Sequence, residues 1–305
     1  MSDSDYYPKK KTPLRRIIDV AAVIAIIAIF YFVDPFGLFE YTDANPSQNE
    51  DSVRIPILMY HHFADYGNVG TVVSENLFSR QLIALREAGF NTISFEQLRA
   101  FVYDDYDLPE NPLIISIDDG YLSVYEVAWP LLVKNEMVAT TFIIGVTHGM
   151  DTYKDTGFPI IPRFNDEQAQ AMVASGFMYI DSHSYDMHQH EPFEQGPFRR
   201  GVLQRADESE EEYIAAFRED FARSAAQIYE MLGHRSIVFS YPFGLSNNLT
   251  DDLLREMGVY ITLKITPGVN TVTRGDSDSL MSMHRLNVPG DMSPEQLIAM
   301  INRHM

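Results

Sequence analysis

Two adjacent carboxylates close a β-branched run in the stretch Ile114-Ile115-Ser116-Ile117-Asp118-Asp119-Gly120-Tyr121. Such a pair can divide the labour of a hydrolysis, one carboxylate holding a metal ion and the other removing a proton. Neighbouring side chains on a strand point to opposite faces. At the C-terminal end, where Gly120 turns the chain, both can still bend toward one pocket. On its own an Asp-Asp-Gly serves equally well as a helix cap or Asx-turn carrying surface acids, so the chemical reading needs partners elsewhere in the chain.

The partners follow a second expected strand, in Asp181-Ser182-His183-Ser184-Tyr185-Asp186-Met187-His188. Strands of a parallel barrel present their C-terminal ends to one shared face, where His183 and His188 could meet Asp119. Two imidazoles and one carboxylate leave open positions on a divalent ion, as a catalytic rather than a structural site requires. His190, two residues further along an exposed loop, is the weaker competitor.

The elements that must position these groups alternate. Expected strands at Arg54–Tyr60, Asn91–Ser94, Pro112–Ile117, Ala139–Ile144, Met178–Ser182, Ser236–Ser240, Tyr260–Lys264 and Leu280–Val288 are interleaved with helical patterns. The helices are expected at Ser74–Gly89, Phe95–Tyr103, Ser123–Asn135, Asn165–Ser175, Ser209–Leu232 and Thr250–Met257, with a last one opening at Ser293-Pro294-Glu295. This alternation predicts an α/β fold with a parallel sheet, closed into a barrel. Residues 187–205 and 267–278 lack a period and are expected to be loops, the first of them functional. No internal repeat is present.

The 305 residues suffice for one large α/β domain, and the formal charge of −20 argues against a nucleic-acid partner. Charge is unevenly placed: residues 1–16 carry five Lys/Arg against two Asp, whereas residues 34–305 carry 18 against 40 acids. With no cysteine there is neither a disulfide framework nor a thiolate site. Ile17–Val33 is almost wholly Ala, Val, Ile, Phe and Tyr, and its seventeen residues would span roughly 26 Å as a helix, near the thin limit of a bilayer core. The expected organisation is a basic cytoplasmic head (1–16), a single transmembrane anchor in the lipid bilayer (17–33), a linker (34–52) and a folded extracellular domain (53–305). A cleaved signal peptide is the rival reading, but no clear small-x-small site follows the run.

From Arg54 onward the sequence resembles the polysaccharide deacetylases of the NodB-homology fold, the family 4 carbohydrate esterases. Ser116-Ile117-Asp118-Asp119-Gly120 matches the family's first motif, and His183-Ser184-x-x-x-His188 is similar to its second with one residue added. That longer spacing, with Met59-Tyr60-His61, resembles the branch containing the poly-β-1,6-N-acetylglucosamine deacetylases. The resemblance implies a distorted (β/α) barrel in which Asp118 is the catalytic base. It further implies that Asp119, His183 and His188 hold a divalent metal, zinc first, with cobalt, nickel or manganese as alternatives. The third motif, commonly Arg-x-Pro-Tyr, survives as Ser240-Tyr241-Pro242-Phe243 without its Arg; the resemblance implies that the Phe243 backbone N–H helps hold an oxyanion. For the general acid the resemblance offers His61 and His284, with His61 preferred. Tyr241, Tyr185 and Arg285 are the expected substrate contacts. No group that orients Asp118 is visible.

The implied activity is removal of N-acetyl groups from N-acetylglucosamine residues of an extracellular polysaccharide, exopolysaccharide before peptidoglycan. A binding protein that kept the fold and lost the chemistry is the contrasting reading, supported by the missing Arg; a tethered structural protein is a third. Loop aromatics Tyr66, Tyr153, Phe158, Phe193 and Phe198 could stack on sugar faces or simply pack on the barrel.

Overall fold

The computed structural model describes residues 51–65, 70–191, 193–194 and 198–305. The expected head, anchor and most of the linker, together with Tyr66, lie outside these residues. Among the described residues no helix is long and apolar enough to cross a membrane.

The described residues open with β1 (Ser52–Ile55), β2 (Ile57–Tyr60), β3 (His62–Phe63), β4 (Val72–Val73), α1 (Glu75–Glu87), β5 (Asn91–Thr92), α2 (Phe95–Tyr103) and β6 (Pro112–Ile117). They continue through a π-turn (Val124–Ala128) into α3 (Trp129–Asn135), then β7 (Ala139–Ile143), α4 (Asp166–Ala174), β8 (Met178–Ser182) and α5 (Glu210–Leu232). The last elements are β9 (Val238–Ser240), α6 (Asn248–Glu256), β10 (Ile261–Leu263), β11 (Asn270–Thr273), β12 (Leu286–Asn287) and α7 (Pro294–His304). Among the described residues five helices start on complete capping boxes, at Ser94, Asn165, Ser209, Asn247 and Ser293, where side chain and backbone satisfy each other's orphan groups.

The main sheet is parallel, in the order β10-β9-β8-β7-β6-β2-β12, with β5 added on β6. Its two ends meet at one point. Met283 forms a parallel bridge to Leu263 of β10, and three residues later Leu286 of β12 pairs with Leu58 of β2. The barrel is therefore closed through a short, irregular seam. Strand alternation sorts side chains between two cores: Leu113, Ile115 and Ile117 of β6 pack outward with residues of α1 and α3, while Ile114 joins Ile57, Phe142, Val238, Leu263 and Met283 inside. With both faces covered, all six residues of β6 are buried, which is why the run reads as continuously apolar.

Three sequence expectations need correction. Pro56 divides the first strand, because it has no N–H for a ladder; β1 departs to pair antiparallel with β11. That pairing places a strand inside the expected polar loop 267–278. The expected strand Leu280–Val288 shrinks to Leu286–Asn287 plus the Met283 bridge, since Ser277–Leu280 is a 3-10 turn and Ser282 takes a positive φ of 54°.

Candidate active site

Asp118 keeps the inward parity of Ile114 and Ser116 and enters the barrel mouth, where it is 2% exposed. Arg285, from the closing seam, meets it with a two-pronged ion pair: Nη1 donates to Oδ1 at 2.8 Å and Nη2 to Oδ2 at 2.7 Å. The remaining guanidinium donors go to the Lys264 carbonyl (Nε, 2.9 Å) and the Ser116 hydroxyl (Nη1, 3.2 Å), and Ser240 Oγ reaches Asp118 Oδ1 at 3.3 Å. Burial pushes the Asp118 carboxyl up, but the Arg285 charge, then His183, the Arg285 hydrogen bonds and His61 outweigh it and bring it down to about 2. Asp118 is thus a buried carboxylate held ionised and oriented by a buried arginine.

Asp119 would point outward by strand alternation. Instead it adopts φ +75°, a left-handed conformation, and Gly120 follows at φ +68°. A side chain at Gly120 would press on Ile143 at 3.1 Å, so the turn needs glycine there. The turn swings Asp119 Oδ1 to 3.5 Å from His183 Nε2 and 3.6 Å from His188 Nε2. Donors of a four-coordinate ion with metal–ligand bonds of about 2.0–2.2 Å stand roughly 3.3–3.6 Å apart, so this spacing fits one.

Two further observations support the fit. Asp119 Oδ1 is buried without a hydrogen-bond partner, a costly state that a cation would relieve. His183 Nδ1 lies 2.7 Å from the Ser240 carbonyl, which can only accept, so Nδ1 carries the proton and Nε2 offers its lone pair to the shared centre. Burial lowers His188 to about 4, leaving it neutral and able to ligate at physiological pH. Burial pushes Asp119 up, but its attraction to Arg163 and to the imidazoles of His188, His61 and His183 when these are protonated, His188 foremost, prevails and holds it well below the usual carboxylate range.

The turn between the two histidines is built from outside. Asp220, on the buried face of α5, accepts the backbone N–H of Tyr185 at 2.8 Å and of Asp186 at 2.7 Å. Ser184, at φ +73°, has its N–H bound to Ser182 Oγ and its own Oγ bound by the Met187 N–H. Asp119 and His188 open into a cleft of 820 Å³ lined also by Tyr121, Tyr153, Arg163, His190, Phe193, Phe198 and Phe243. Of the five loop aromatics, Tyr153, Phe193 and Phe198 therefore face the cleft, while Phe158 is half exposed outside its lining. Phe243, at φ +57°, lays its ring against His188 with centroids 4.2 Å apart.

The two candidate acids are placed differently. His61 is half-buried at the end of β2, within electrostatic reach of both Asp118 and Asp119, and its buried Nδ1 has no partner. His284 is exposed on the seam, its N–H bound by Asn270 Oδ1. The three expected substrate contacts are corrected by burial and by their neighbours. Arg285 is wholly buried and spent on Asp118. Tyr241 is wholly buried, its hydroxyl donating to Asp251 Oδ1 at 2.7 Å. Tyr185 lies against Gly145 beneath the Arg223 guanidinium and is not part of the cleft lining.

The model of the family described as polysaccharide deacetylase matches residues 105–262, slightly more than half of the chain. The match contains Asp118, Asp119, His183 and His188 but neither His61 nor Arg285. The chain is 24% identical over 246 residues to YxkH of Bacillus subtilis, a candidate polysaccharide deacetylase, covering 81% of this chain and 75% of that protein. It is also 24% identical over 224 residues to the poly-beta-1,6-N-acetyl-D-glucosamine N-deacetylase of Escherichia coli, covering 67% of this chain but only 32% of that protein. Among solved structures, IcaB from Ammonifex degensii shares 27% identity at a TM-score of 0.66, over 81% of this chain and 96% of that one. A de-N-acetylase from Aggregatibacter actinomycetemcomitans, at 21% identity and a TM-score of 0.67, shares the fold over 81% of this chain and the whole of that one.

Proposed function

Because the chain belongs to the polysaccharide deacetylase family, we propose that it hydrolyses the N-acetyl amides of N-acetylglucosamine residues in an extracellular polysaccharide, poly-β-1,6-N-acetylglucosamine before peptidoglycan. The observation that carries this reading is the split of the two aspartates, one locked to Arg285 and the other joined with His183 and His188 around an unpartnered oxygen. The Escherichia coli relative supports the choice of polymer. Asp119, His183 and His188 would hold a divalent ion, zinc first, which when bound polarises the amide carbonyl and acidifies a water.

The chain's own residues supply the rest. Asp118, ionised, accepts the proton of the attacking water as its oxygen bonds to the carbonyl carbon. Arg285 keeps that carboxylate charged and correctly turned. The backbone N–H of Phe243 lends a hydrogen bond to the oxygen that gains charge. His61 protonates the sugar nitrogen as the C–N bond breaks, so acetate and a free amine leave. Tyr153, Phe193 and Phe198 offer ring faces to the polymer along the cleft. The basic head and apolar run of residues 1–33 support tethering of this domain outside the cytoplasmic membrane.

Acetate release from poly-β-1,6-N-acetylglucosamine and from peptidoglycan, each with and without chelator, tests the proposal. Chelator-sensitive release, faster from the exopolysaccharide, is the expected result. Metal-loaded protein that binds either polymer yet releases no acetate would establish a binder in place of an enzyme.

A further inference from the structure

The turn after Asp119 is gripped by a segment that belongs to none of the motifs. Pro162–Phe164 runs antiparallel to Gly120–Leu122: Leu122 N–H donates to the Pro162 carbonyl at 2.7 Å, Phe164 N–H to the Gly120 carbonyl at 3.3 Å, and Tyr121 bridges Arg163. The Arg163 side chain reinforces this latch. Its Nη1 donates to the Asp119 carbonyl oxygen at 2.6 Å, and its guanidinium lies 3.9 Å above the centre of the Tyr121 ring.

The Asp119 peptide is where such support is needed. A non-glycine residue at φ +75° persists only where its surroundings over-determine it. Without that conformation strand alternation would turn the carboxylate away from His183 and His188. Against this stands the charge of Arg163, which acts on Asp119 and would by itself repel a bound cation. Aiming and repulsion therefore pull metal affinity in opposite directions, and their signs separate the two roles experimentally.

Resting on the metal site proposed above, we infer that Arg163 is a positioning residue for Asp119: by holding the Asp119 carbonyl it fixes the left-handed turn that aims the carboxylate, and so raises metal affinity in spite of its charge. The test is zinc affinity of the full chain, measured by competition with a chromophoric chelator, for wild type, Arg163→Met and Arg163→Lys. Circular dichroism and the thermal midpoint of the metal-free proteins establish folding.

Arg163→Met keeps the apolar stem over Tyr121 but has no donor, and it should weaken zinc binding roughly 10- to 100-fold. Arg163→Lys keeps the charge and one donor and should fall between; if Arg163→Met does not fold, Arg163→Lys carries the test alone. A folded variant that binds zinc as tightly as wild type, or more tightly, overturns the inference and makes Arg163 only a local charge. Wild-type chain that takes up no zinc overturns the metal site itself and this inference with it.

Discussion

Asp118 and Asp181 are buried to the same extent, at 2% and 1% exposure, and both accept hydrogen bonds on Oδ1, yet they are driven in opposite directions. Asp181, inside the barrel between β8 and β9, takes only neutral donors: Ser236 Oγ at 2.8 Å and the N–H groups of Ile237 and Val238 at 3.0 and 3.2 Å. Burial raises it, the charge of Glu96 raises it further, and its carboxyl is pushed up to about 8. Asp118 faces an arginine and histidines and is brought down to about 2. Burial alone neutralises a carboxyl, and neutral hydrogen bonds do not rescue its charge here; an oriented cation does. The molecule spends a buried arginine on the carboxylate at the strand ends, which stays ionised, and leaves the interior acid protonated.

Arg285→Met should break this contrast with the largest effect. It strands a buried carboxylate, so unfolding experiments at neutral pH should show a loss of about 3–5 kcal/mol. In whatever fraction folds, Asp118 should titrate upward toward Asp181, moving the acid limb of kcat/KM to higher pH. Next in size, His61→Ala should lower kcat by roughly 10²- to 10⁴-fold with zinc binding retained, whereas His284→Ala should leave kcat near wild type. Steady-state acetate release separates the two histidines, and the reverse ranking would move the acid to the seam.

The smallest effect concerns Asp181. Between the ordinary carboxyl value of 3.8 and about 8 the folded state holds a proton that the unfolded state releases, so raising the pH through this window costs stability. Asp181→Asn should flatten that part of the thermal midpoint profile, measured from pH 4 to 8. Asp118 carries the opposite sign, because its stabilisation is present above the ordinary value and is lost as the pH falls toward 2.

Much of this site could be read from residue order. The strand ends bearing Asp118-Asp119 and His183 declared themselves because a parallel sheet covered on both sides needs unbroken apolar runs, and polar groups that close such runs gather at one rim. The groups that hold the site were harder to see. Arg285 had a usable signal, a lone charge between Met283 and Leu286 in a buried segment, which points to a buried ion pair rather than to a sugar contact. Asp220 had one as well, an acid on the apolar stripe Tyr213, Phe217, Phe221 and Ile228 of α5. Arg163 had none, since Pro162-Arg163-Phe164 reads as an ordinary lead into the Asn165 cap and only the tertiary fold lays it beside Asp119. Strand Asn270–Thr273 carries no apolar run to mark it, because its polar Asn and Thr residues pair at the edge with β1, away from the main sheet.

The division of labour between adjacent aspartates is tested most directly by measuring zinc affinity and acetate release together for Asp118→Asn and Asp119→Asn. Both variants should lose acetate release, but Asp118→Asn should bind zinc close to the wild-type affinity while Asp119→Asn should not bind it. Zinc lost from Asp118→Asn and kept by Asp119→Asn would contradict this division of labour.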